Sequence, residues 1–143
     1  MVKRTFLFLI ILAATSTFIS SAYSQTEKKT ITLPSGEVVC DLNGEWIALH
    51  SHYGPMQWVG DIKSMVKITL QANKFVGTSL IATGYSPAGT EKVRGELDKD
   101  GIKNIRYYRP DIDWQDAKGE ISKDCNKIVI DDGQGVKTIL ERK

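Results

Sequence analysis

The sequence lacks almost every pattern by which an enzyme or a nucleic-acid binder announces itself. It has no G-x-S-x-G, no H-E-x-x-H and no glycine-rich phosphate loop. It has only two histidines, His50 and His52, both in one short stretch. No long block of basic residues is present, so the electrostatic footprint of nucleic-acid binding is missing. Long amphipathic helical stretches are also missing, and no apolar run beyond the N-terminal segment is long enough to span a membrane as a helix. These absences argue against catalysis, against a cofactor and against nucleic acid as a partner.

What the chain does carry begins with a targeting pattern. Lys3 and Arg4 precede an apolar run from Phe6 to Ala14, and small residues follow at Ser20-Ser21-Ala22 and Ser24. The run is too short for a span of about 20 residues and reads as a secretory signal, residues 1–24, cleaved after Ala22 or Ser24. With no cysteine at the cleavage point, a lipid anchor has no attachment site, and no membrane anchor is expected once the signal is removed. The whole chain has 19 Lys plus Arg against 17 Asp plus Glu. The segment removes Lys3 and Arg4 and no acid, so the mature charges balance and the positive excess belongs to targeting.

The remaining chain of about 120 residues suffices for one domain with one core. Its two cysteines, Cys40 and Cys125, stand in an exported chain, where a disulfide is the default. Closing so long a loop stabilises by roughly 4 kcal/mol on the chain-entropy account. Metal-thiolate chemistry is the weaker reading, because neither cysteine has a Cys or His at ligand spacing. A disulfide would also leave no thiol nucleophile.

Residues 25–36 are polar, end in Leu33-Pro34-Ser35-Gly36 and read as a flexible arm, with a short strand possible at Glu37–Cys40. The domain proper is expected over 37–143. Eight strands can be marked: 45–50, 64–71, 74–83, 91–98, 102–109, 115–123, 127–131 and 136–142. Val66, Ile68 and Leu70 alternate with Lys67, Thr69 and Gln71. Val93, Gly95 and Leu97 alternate with Arg94, Glu96 and Asp98. Period two with one apolar face marks half-buried strands. Gly95–Gly101 and Gly119–Cys125 resemble each other at an offset of two strands and two turns, as a meander would produce. Tight turns follow the second, fourth and sixth strands, and longer loops follow the first, third and fifth. An up-and-down barrel would gather the tight turns at one end, with both cysteines, Trp46 and Arg142 beside them. A guanidinium stacked on that indole would contribute roughly 0.5–2 kcal/mol.

Gly44-Glu45-Trp46 is a G-x-W at the start of the first strand, and Arg142 is a closing arginine on the last. With eight meander strands between them, residues 44–142 resemble the calycin superfamily of lipocalins, fatty-acid-binding proteins and avidins. The T-D-Y-type lipocalin motif is absent and the strands are short, so the resemblance is to a compact, lipocalin-like or avidin-sized barrel. It implies a single eight-stranded antiparallel all-β barrel with a small ligand in its mouth. Gly44, Trp46 and Arg142 would be structural.

Trp46 faces inward in such barrels. Trp46, Ala48, His50 and His52 then share one face, which points His50 into the barrel and puts His52 at its mouth. Ile47 and Leu49 would face outward unless a bulge reversed the phase. Two imidazoles two residues apart could instead hold copper or zinc, with Met56 as a soft ligand, or simply pack at the rim with Tyr53 and Trp58. The opposite rim offers Tyr107-Tyr108-Arg109-Pro110-Asp111-Ile112-Asp113-Trp114, with Tyr85 in the loop between. Aromatic rings with an arginine suit a planar or anionic ligand, and cross-strand aromatic pairing with surface ion pairs is the plainer reading. Asp111 and Asp113 read as solvated loop acids rather than a catalytic pair. The expected binding residues are His50, His52, Tyr53, Trp58, Tyr85, Tyr108, Arg109 and Trp114. The expected function is exported, non-catalytic binding of a small, partly apolar ligand. Docking to a protein partner through the long loops is the first alternative. Periplasmic copper or zinc binding through His50 and His52 is the second.

Overall fold

The alternating segments form strands that close on themselves. The computed structural model describes residues 28–143, so the signal segment lies outside the described residues. A short hairpin pairs β1 (Thr30–Thr32) with β2 (Val38–Cys40). Eight strands follow: β3 (Gly44–His52), β4 (Ile62–Gln71), β5 (Lys74–Ser79), β6 (Glu91–Asp98), β7 (Gly101–Arg109), β8 (Asp113–Ile121), β9 (Lys127–Asp131) and β10 (Val136–Arg142). Each pairs antiparallel with its sequence neighbours, and β10 pairs with β3 to close an up-and-down barrel. Closure leaves the barrel sheet with no free edge. Among the described residues no helix is long and apolar enough to cross a membrane.

Several boundaries differ from the sequence reading, β8 among them, which runs Asp113–Ile121 rather than 115–123. Part of the segment read as a loose arm is strand β1. Its partner β2 is the short strand expected near Cys40. The third barrel strand stops at Ser79 rather than residue 83, because residues 80–90 fold into a loop with a small Thr83–Ser86 bridge. The first barrel strand runs on to His52 without a bulge, so Trp46, Ala48 and His50 face inward and Ile47 stays 49% exposed on the outer wall.

The tight turns after β4, β6 and β8 share one end with Trp46, Arg142 and both cysteines. There Cys40 and Cys125 form a disulfide that ties the β1–β2 hairpin to the β8–β9 turn. Leu33, Val39 and Leu42 bury into the barrel base beneath Trp46, whose indole N–H donates to the Leu42 carbonyl at 3.0 Å. The Arg142 guanidinium lies 4.4 Å from the Trp46 ring centroid and donates to the carbonyls of Asp41, Asn43 and Cys125. Gly44 has φ +125°, a conformation that only glycine adopts without strain, which accounts for the glycine two residues before the tryptophan. The two related segments, Gly95–Gly101 and Gly119–Cys125, both run from the barrel wall into turns at this end.

Inward side chains are bulkiest at the plugged end and become smaller or more polar toward the other. Along β3 they read Trp46, Ala48, His50; along β4, Ile68, Val66, Ser64; along β5, Phe75, Gly77, Ser79, and all nine are buried. Gly77 sits where a Cβ would approach Val93 to 2.6 Å, so the middle layer is tightly filled by its neighbours. Above it, serines and a histidine replace bulky apolar groups. This taper is the physical origin of the cavity.

Candidate functional site

The open end encloses a cavity of about 520 Å³. Small-molecule sites commonly fall between about 300 and 1,000 Å³. Its wall combines strand residues such as Ile62, Ser64, Ser79 and Val136 with loop residues including Trp58 and Tyr85. The short 3-10 helix Gly54–Val59 forms one lip. It leans on Gly135, whose Cβ position would lie 2.7 Å from Met56 Cγ, so a side chain there would push the helix away.

A hydrogen-bonded trio lies at the floor. His50 Nδ1, Thr138 Oγ1 and the Tyr107 hydroxyl are mutually 2.9–3.1 Å apart. Burial, with Lys92 and His52 nearby, lowers the His50 pKa to about 4, so the ring is neutral at pH 7. Burial likewise raises the Tyr107 hydroxyl to about 12. The trio therefore holds three hydrogens at neutral pH. With Nδ1 bare, Thr138 donates to Tyr107, Tyr107 donates to Nδ1, and Nε2–H is left over. With Nδ1 protonated, it donates to Thr138, Thr138 donates to Tyr107, and the tyrosine proton is left over. Either tautomer leaves one donor without an acceptor inside the trio.

Lys92 reaches the cavity through a register slip. β5 and β6 pair Gly77 with Val93 but Thr78 with Glu91, leaving Lys92 as the extra residue. A bulge of this kind re-aims a side chain. Lys92 Nζ donates to Ser86 Oγ at 3.0 Å and stands 5.9 and 5.5 Å from the ring centroids of Tyr107 and Tyr108. No carboxylate lies within salt-bridge distance of it among the described residues. Burial lowers its pKa.

Arg109 behaves differently. It is buried, and its guanidinium forks onto Asp111 at 3.0 and 2.6 Å and donates to Asp132 at 3.1 Å. The Asp111 hydrogen bond is the main reason its pKa is raised. Asp132 is fully occupied in turn, accepting also from the backbone N–H groups of Gln134 and Val136. The arginine expected to fork onto a ligand is thus engaged within the protein.

Of the eight expected binding residues, the structure brings His50, His52, Trp58, Tyr85, Tyr108 and Arg109 to the cavity wall. Two lie elsewhere. Tyr53 donates its hydroxyl to Asp131 at 2.7 Å outside the cavity. Trp114 is on β8, under the Arg94 guanidinium at 4.2 Å and against Tyr108. His52 Nδ1 bonds the Gly60 carbonyl at 2.6 Å, while His50 Nδ1 belongs to the trio. Among the described residues no group of three or more His, Cys, Asp or Glu is placed to hold a metal ion. The alternation rule missed Lys92 because the bulge lies outside it. Tyr107 and Thr138 were legible as inward positions on their strands.

No protein-family model, curated protein or solved structure matches this chain. Fold and site together define its class: a closed eight-stranded antiparallel barrel, plugged at one end and hollow at the other.

Proposed function

We propose that this chain is an exported, calycin-type binding protein that holds a small, partly apolar molecule at the open end of its barrel, without catalysing a reaction on it. The observation that carries this reading is the one-ended cavity, with apolar walls and a small set of polar groups at its floor and side. A few placed polar groups in an apolar concavity orient a ligand while burial supplies the affinity. Export is supported by the N-terminal signal pattern and by the Cys40–Cys125 disulfide, which persists in an oxidising compartment.

A protein-docking reading draws on one feature. Trp58 is 75% exposed and Tyr85 52% exposed at the rim, and exposed aromatics often anchor interfaces. Docking by the loops alone would not require the hollow beneath them.

Native mass spectrometry of the exported protein, purified from its own source, tests the proposal. The expected spectrum shows an added small mass that is lost on denaturation. A consistently bare chain from such preparations would count against ligand binding, and a co-purifying polypeptide would favour docking.

A further inference from the structure

The Lys92 ammonium is the one cation of the cavity wall that the described residues leave without a carboxylate. Arg109, the guanidinium on the same wall, already holds Asp111 and Asp132. The two spare N–H groups of Lys92 look for an acceptor beside the faces of Tyr107 and Tyr108. The leftover donor of the His50–Thr138–Tyr107 trio lies in the same part of the floor. With Nδ1 bare, that donor is His50 Nε2–H, which makes no hydrogen bond among the described residues and is not among their fully buried atoms lacking a partner, on a ring that lines the cavity. The excess negative charge of the Arg109 cluster sits on Asp111, whose side chain is half-exposed and solvated at the lip.

Unmatched donors at the floor and apolar surface toward the mouth define a ligand with two parts. We infer that the cavity takes a small amphipathic monoanion, a carboxylate or sulfonate in chemical class, whose acidic group is held by Lys92 and whose apolar body lies against Trp58, Val59 and Ile62. The inference rests on the cavity-binding reading above and adds the charge of the ligand and the residue that selects it. A single unpaired lysine matches one negative charge, and a neutral ligand of the same shape would leave the ammonium unmatched.

Two fluorescent probes separate the claims. 8-Anilinonaphthalene-1-sulfonate and N-phenyl-1-naphthylamine share one skeleton and differ by the sulfonate. Both should bind the mature protein with one-to-one stoichiometry. Lys92→Met should weaken the sulfonate about tenfold, the scale of one charge-assisted hydrogen bond, and leave the neutral probe within about twofold. Lys92→Arg should restore sulfonate binding, and thermal unfolding of both variants reports whether the fold is intact. Unchanged sulfonate affinity in Lys92→Met, or equal loss of both probes, would overturn the charge assignment while the cavity reading stood. Failure of the sulfonate alone to bind the wild type would also overturn the charge assignment, and failure of both probes would overturn the cavity reading with it.

Discussion

The two ends of this barrel each hold an arginine, and they hold it in opposite ways. At the plugged end Arg142 has no carboxylate partner within salt-bridge distance among the described residues. It lies on Trp46, gives its hydrogens to three backbone carbonyls, and burial lowers its pKa. At the hollow end Arg109 is clamped by two carboxylates, which raise its pKa. One arginine joins chain segments that already pack against a disulfide and an apolar plug. The other replaces a plug, bracing loops around a space that side chains do not fill. Neither is free for a ligand, so the guanidinium that a sequence reader notices first is a poor guide to the site. The unclamped charge is Lys92.

This contrast can be broken by removing one support at each end. Asp132→Ala leaves the buried Arg109 guanidinium with only the half-exposed Asp111 as a carboxylate partner and uncaps the β9–β10 turn, and should cost about 3 kcal/mol of unfolding free energy. Arg142→Met keeps its packing against Trp46, loses hydrogen bonds to partly hydrated carbonyls, and should cost about 2 kcal/mol. Denaturant titration of the two variants compares them directly. The reverse order would mean that the plugged end depends more on its arginine than the hollow end does.

An effect confined to acid pH comes from the cavity floor. Unfolded, the His50 imidazole binds a proton below about pH 6.5; folded, only below about pH 4. Between these values the unfolded chain binds more protons, so acid favours unfolding and stability falls as the pH drops through the window. His50 should contribute roughly 3 kcal/mol of the stability lost between pH 7 and pH 4. His50→Gln should lose correspondingly less over that range. Parallel pH profiles of the wild type and the variant would show instead that the floor is wet enough to carry an imidazolium.

Much of the barrel was legible because period two survives along its strands. The Trp46–Arg142 stack, the Cys40–Cys125 pairing and the segregation of tight turns to one end all follow from counting strands. The cavity itself was written in the same alternation, as Trp-x-Ala-x-His on β3 and Phe-x-Gly-x-Ser on β5, where a large aromatic at the plugged end gives way to smaller and more polar inward residues. Residues at irregularities were not legible. Lys92 occupies an outward position by parity and turns in only because of one slipped register. Trp114 reads as a loop anchor beside Tyr108 and Arg109, yet β8 begins at Asp113 and sets its ring under Arg94. Arg109 lies where expected, but its engagement by Asp132 depends on a contact across 23 residues that no local pattern displays.

The central claim is that one end of the barrel holds the fold and the other holds a ligand. Amide chemical-shift mapping with 8-anilinonaphthalene-1-sulfonate tests it most directly. The account predicts shifts gathered at the hollow end, at Ile62, Ser79, Val93 and Tyr107, with Leu97, Cys125 and Ile128 unmoved. Shifts centred on the β1–β2 hairpin, or spread along the outer wall around Ile47, would contradict it.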